Sequence, residues 1–205
     1  MQNKITRFVQ PRLEGMRAGN EKGMAVAEYA IGIFVIAAVV LLGRAARYLP
    51  ADSAHVRRVV ERLLSALRTP SELVQEAVAS CLPALVRASA AAKDVPSIVD
   101  RLFVDLLHGD KYATRRGAAY GLAGVVKGRG VSAIRELRIL ARLSEAAHDT
   151  STTTTRQGAL FAYELLASTL HVLLEPYVDG ILADLLLCFG DTHADVREAT
   201  QDAAR

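Results

Sequence analysis

Seven cations have the types and spacing for chemistry: Arg115, Arg116, Arg156 and Arg197, with Lys111, Lys127 and Arg129 close to the first pair. A guanidinium forks onto phosphate through parallel N–H bonds, so arginines recurring along one edge could grip a nucleic-acid backbone or an acidic partner. The same residues have a plainer use. Each Arg can pair with an Asp at a turn, such as Asp110, Asp149, Asp191 or Asp195, and tie neighbouring units together. Lys111, Lys127 and Arg129 fall near Arg115 and Arg116, so a nucleic-acid patch would belong there. Their alternative is an ordinary solvated face.

No other constellation points to a reaction. Gly117, Gly121 and Gly124 are spaced by four and three inside a helical run. A phosphate loop needs GxxxxGK followed by Ser or Thr after a strand, so close helix packing is the reading here. The five His (55, 108, 148, 171 and 193) form no HExxH and no pair with ligand spacing, and are expected at surfaces and caps. Cys81 and Cys188 have no zinc-type neighbours and sit in apolar helical patterns, as small buried hydrophobes in a reducing compartment. Tyr112, Tyr120, Phe161, Tyr163 and Tyr177 read as core or helix-edge packing. No GxSxG or paired carboxylates stand out. No catalytic residue, metal or cofactor is expected, so the chain reads as a binding scaffold rather than an enzyme.

Charge and composition agree. The chain has 205 residues, 51% apolar and 23% charged, enough to bury a core and too apolar for disorder. Its net charge of +3 is carried by the first 22 residues, where five basic side chains face two acidic ones. The remainder is balanced, with 20 of each sign, and offers no bulk basicity to nucleic acid.

The elements that would position these residues are helices. Val56, Val59, Val60, Leu63, Leu64 and Leu67 recur at spacings of three and four, as do Leu73, Val74, Ala77, Val78, Cys81, Leu82, Leu85 and Val86. Ile98, Leu102, Phe103, Leu106 and Leu107 continue the pattern. Turn signals fall at 69–71, 109–110, 128–130, 149–155 and 190–191, and Pro83 should kink its helix. Asp52 or Ser53, and Ser71, are plausible N-caps, and Pro70 and Pro176 stand where helices can begin.

A polar pair followed by two mostly small residues recurs at Gln75-Glu76-Ala77-Val78, Arg115-Arg116-Gly117-Ala118, Arg156-Gln157-Gly158-Ala159 and Arg197-Glu198-Ala199-Thr200. The steps are 40, 41 and 41 residues. A two-helix unit of that period is in the HEAT or armadillo range. The fold expected is an all-α solenoid of about four to five such units over 35–205, after a divergent leader over 1–34. Residues 24–43 hold one charge, Glu28, in twenty positions. They read either as a membrane span anchoring a helical adaptor or, by repeat phase, as part of a buried helix; the phase makes membrane insertion the weaker reading.

The run Asp110-Lys111-Tyr112-Ala113-Thr114-Arg115-Arg116-Gly117-Ala118-Ala119-Tyr120-Gly121-Leu122-Ala123-Gly124-Val125-Val126-Lys127-Gly128 resembles the large HEAT-repeat translational activators of the general amino-acid control pathway. So do Arg156 to Glu164, Glu175-Pro176-Tyr177-Val178, Leu185 to Asp191 and Val196-Arg197-Glu198-Ala199. The resemblance covers roughly 35–205 and is to the central, elongation-factor-three-like segment. It implies a cytoplasmic, ribosome-associated protein that activates the kinase of initiation factor 2 alpha under stress. It further implies an ABC-type partner, with the kinase itself contacted through regions beyond this stretch. Thr152 to Thr155 stand in a turn where the family pattern leads one to expect basic residues. A HEAT interaction module with unrelated cargo is the remaining alternative.

Overall fold

A computed structural model describes residues 37–41, 43, 45, 48, 54–87 and 89–205. The chain divides into two compact units, Met1–Ala38 and Val39–Arg205. The expected leader 1–34 and most of the candidate span 24–43 lie outside the described residues, as do Asp52 and Ser53. Among the described residues no helix is long and apolar enough to cross a membrane.

In the second unit the described residues form helices and turns, with no strand among them. Residues 39–41, 43 and 45 are helical. The helices that follow are α1 (Ala54–Ala66), α2 (Glu72–Arg87), α3 (Ser89–His108), α4 (Tyr112–Arg129), α5 (Ser132–Glu136), α6 (Ile139–Ala147), α7 (Thr153–Leu170), α8 (Val178–Phe189) and α9 (Ala194–Ala203). A 3-10 turn, His171–Tyr177, joins α7 to α8.

The pairs α1–α2, α3–α4, α5/α6–α7 and α8–α9 form the repeating units. Their second helices make one layer, α2 against α4, α4 against α7 and α7 against α9. The apolar stripes meet between the layers. Val56, Val60, Leu63 and Leu64 of α1, and Val78, Leu82 and Leu85 of α2, are buried, each such side chain contributing about 1.5–3 kcal/mol. Leu73 departs from its stripe and is 61% exposed.

Two local features differ from simple two-helix units. The first helix of the third unit is broken into α5 and α6 by Arg138, whose φ of 52° is left-handed. Thr153 to Thr155 are not in a turn but form the first turn of α7, with Thr152 as N-cap. Pro83 lies inside α2 and has no N–H to give the carbonyl of Ala79. Gly124 of α4 packs onto that carbonyl; a Cβ there would stand 2.7 Å from it. Pro70 precedes α2 by two residues, and Pro176 lies within the 3-10 turn rather than opening a helix.

Candidate partner-binding surface

Gln75, Arg115, Arg156 and Arg197 are each the fourth residue of their helix. That placement aims the side chain back over the turn that precedes it. Gln75 donates to the carbonyl of Thr69 at 2.9 Å, Arg115 to that of Gly109 at 2.8 Å, Arg156 to that of Asp149 at 2.7 Å and Arg197 to that of Asp191 at 2.7 Å. The first three also reach the next unit. Gln75 donates to Ala113 O at 2.9 Å, Arg115 to Gln157 Oε1 at 2.7 Å, and Arg156 to Asp191 Oδ2 at 2.7 Å. Arg115 and Arg156 are buried. Their donors are turned inward, and the sequence pattern that could have been a phosphate grip is here a row of bolts between units.

The bolts are not equal. Arg156 faces a carboxylate that is itself fixed, since Asp191 also accepts from the His193 amide at 2.8 Å. Burial pushes the Asp191 carboxyl up, but the His193 amide and the Arg156 guanidinium outweigh it and hold it below the ordinary carboxylate value. Asp149, the equivalent residue one unit earlier, takes the Ser151 amide and the Ser151 and Thr152 hydroxyls. It makes no ion pair with Arg115 within 4 Å. Among the described residues Arg115 therefore has only neutral hydrogen-bond acceptors and its buried Nε has none, and burial lowers its pKa.

Arg116 points the other way. It forms a two-pronged pair with Glu164 of α7, the Nη2–Oε1 distance being 2.7 Å, and its guanidinium lies 5.4 Å from the Phe161 ring centre. Burial works against the charge, but Glu164 overrides it and raises the Arg116 pKa. Beside it Tyr120 donates to Glu72 at 2.7 Å, which lowers the Glu72 carboxyl; burial and that bond push the Tyr120 phenol up.

Of the seven cations singled out by the sequence, Lys111, Lys127 and Arg129 are exposed and make no ion pair among the described residues. Lys111 precedes α4 and Arg129 ends it, so about 27 Å of helix separates them at 1.5 Å per residue. Lys127 instead lines a groove across α2, α4 and α7.

A buried polar cluster escaped the sequence reading. Asp184 of α8 is 4% exposed and accepts from the Tyr163 hydroxyl and from Ser144 Oγ at 3.1 Å, joining three helices. Burial, then Asp184, raises the Tyr163 pKa. Tyr163→Phe leaves a buried carboxylate one donor short, and should cost about 1–3 kcal/mol in urea unfolding. An unchanged midpoint would show that the bond adds nothing.

The remaining motifs are structural. Cys81 and Cys188 are buried, each with Sγ toward a carbonyl about one repeat back, Val39 at 3.7 Å and Ala147 at 3.8 Å. Burial raises the Cys188 thiol pKa, which makes it a poor nucleophile. Tyr112 stacks edge-on against Phe161 with centres 5.1 Å apart. His148, His171 and His193 stand at helix caps.

Residues 115–205 match the family model for the N-terminal HEAT repeat of elongation factor EF3. Over 167 residues, 82% of this chain, the sequence is 48% identical to the stalled ribosome sensor GCN1 of Homo sapiens. It is 44% identical over 167 residues to Protein ILITYHIA of Arabidopsis thaliana. Over 168 residues it is 38% identical to the eIF-2-alpha kinase activator GCN1 of Saccharomyces cerevisiae. The chain is a relative of the eIF-2-alpha kinase activators. It spans 6% of the length of each of these proteins.

In this relative of the activators, the stretch richest in the resembling residues, 110–128, is α4 and the turn before it. That helix packs on α2, α3 and α7 at once. Its small residues and its arginines thus meet packing demands from both neighbouring units. Gln75 belongs with the arginine row, although its side chain carries no charge; the 40-residue step to Arg115 was the signal that placed it there.

Proposed function

We propose that this chain is a non-catalytic HEAT-repeat scaffold in translational control, cytoplasmic, that contributes binding surface for the ribosome and for protein partners of a kinase activator. The observation that carries this reading is the identity of 38–48% to activators and stalled-ribosome sensors, sustained over 82% of the chain. A helical array with no reaction centre works by holding surfaces at fixed spacing. The kinase and an ABC-type partner belong to this reading as companions of the longer relatives, the kinase through regions beyond this stretch.

The geometry supports a division of labour among the candidate cations. Arg115, Arg156 and Arg197 hold turns and Arg116 holds Glu164, which supports a role in keeping the array in shape. Lys111, Lys127 and Arg129 keep their charges for a partner. They are expected to make a salt-sensitive contact with rRNA phosphate: the triple variant Lys111→Glu, Lys127→Glu, Arg129→Glu should leave the helical circular dichroism intact and cut co-sedimentation with ribosomes about tenfold or more at low salt. Wild-type protein that stays out of ribosomal fractions at every salt concentration would overturn the reading.

A further inference from the structure

The groove across α2, α4 and α7 has a volume of about 640 Å³. Its bed is made of small residues, Ala79 and Pro83 of α2 and Gly124 of α4. One end is acidic. Glu72 is held in place by the Tyr120 hydroxyl, and Glu76 one turn on is exposed with no ion pair among the described residues. Lys127 of α4 and His171 after α7 stand at the other end. Leu73, 61% exposed, sits at the acidic end and offers an apolar contact.

The spacing of the charges can be read from helix register. Gly124 packs on Ala79 and Gly128 on Pro83, which puts Lys127 level with Leu82, six residues beyond Glu76. At 1.5 Å per residue the unlike charges are about 9 Å apart along the helix axis. An extended chain advances about 3.3 Å per residue, so a cation and an anion three positions apart span the same distance. The small residues of the bed let an extended backbone lie close, with small or aliphatic side chains between the two charges. A nucleic acid is poorly matched, because two carboxylates would face its phosphates.

We propose that this groove is a docking site for an extended peptide segment carrying Lys or Arg at one position and Asp or Glu three positions away, with small or aliphatic residues between. The cation lies over Glu72 and Glu76, and the anion over Lys127 and His171. This goes beyond ribosome association; it shares Lys127 with that reading, whereas Glu72, Leu73 and Glu76 belong to the peptide site alone.

The test uses the 205-residue chain and two fluorescein-labelled hexapeptides, Gly-Arg-Val-Ala-Glu-Gly and its charge-swapped counterpart Gly-Glu-Val-Ala-Arg-Gly, read by anisotropy at low salt. One of the two should bind saturably. Glu76→Lys and Lys127→Glu should each weaken it about tenfold, and the double variant should exchange its preference to the other peptide. The Glu76→Lys variant should still co-sediment with ribosomes like wild type, which separates this site from the rRNA contact. Absence of saturable binding below about 1 mM by either peptide, or an unchanged Kd in both single variants, would overturn the proposal. So would tighter binding of a uridine 12-mer to Glu76→Lys together with loss of that binding in Lys127→Glu, which would assign the groove to nucleic acid.

Discussion

Gly117→Ala is expected to destabilise the chain by about 3 kcal/mol, although it replaces a poor helix former by the best one. Position 117 lies within α4, and a Cβ there would stand 1.9 Å from the carbonyl oxygen of Leu67 and 3.0 Å from Gln75 Nε2. The obstacle is backbone and cannot rotate away. That carbonyl also accepts from Gln75 at 3.0 Å, so any shift that admits the methyl group pulls on the bolt between the first two units. Gly180→Ala is the opposite case. It sits in the first turn of α8 with nothing within 4 Å of the Cβ position, so alanine should stabilise by about 0.5–1 kcal/mol. Urea unfolding of both variants decides the matter, and equal signs would refute it.

Arg156→Gln should cost about 3–5 kcal/mol, because it leaves the carboxylate of Asp191 without its buried cation. The side chains of this pair are only 8% and 11% exposed. Arg115→Gln, the same change one unit earlier, should stay within about 1 kcal/mol. Gln75 already fills the equivalent place with three bonds to backbone carbonyls, and Arg115 feels the carboxylates of Asp110 and Asp195 only at a distance, with no carboxylate bonded to it among the described residues. Acid gives an independent reading. The Asp191 carboxyl is held below its ordinary value, so its contribution is complete above about pH 3.8 and fades as the pH falls through the lowered value. Arg156→Gln should flatten that loss, and a stability-against-pH curve parallel to wild type would contradict the assignment.

The phase of the repeat was legible because geometry repeats in sequence. Gln75, Arg115, Arg156 and Arg197 share one place in four helices, and the small residues two positions on, Gly117 and Gly158, both press on a backbone carbonyl of the preceding unit. Turns at Gly109, Gly130 and Gly190 were legible for the same reason, as residues that end helices. What stayed hidden depends on partners distant in sequence. Whether an arginine faces solvent or a turn carbonyl is set by where its helix starts, and one turn of error reverses the answer. Asp184 reads as a surface residue until Tyr163 and Ser144 are brought to it. Leu73 fits the apolar stripe of α2 by spacing alone, yet stands outside it.

The row of bolts has a mechanical consequence. Within the layer of second helices each bolt joins one unit only to the next, so an end-to-end pull is carried through the joints in series. Each joint in that layer is reinforced beyond backbone carbonyls: Tyr120 donates to Glu72 between the first and second units, Arg116 pairs with Glu164 between the second and third, and Arg156 pairs with Asp191 between the third and fourth. Tension on the array should therefore be borne by all three joints alike, with none of them marked by its side chains to part first.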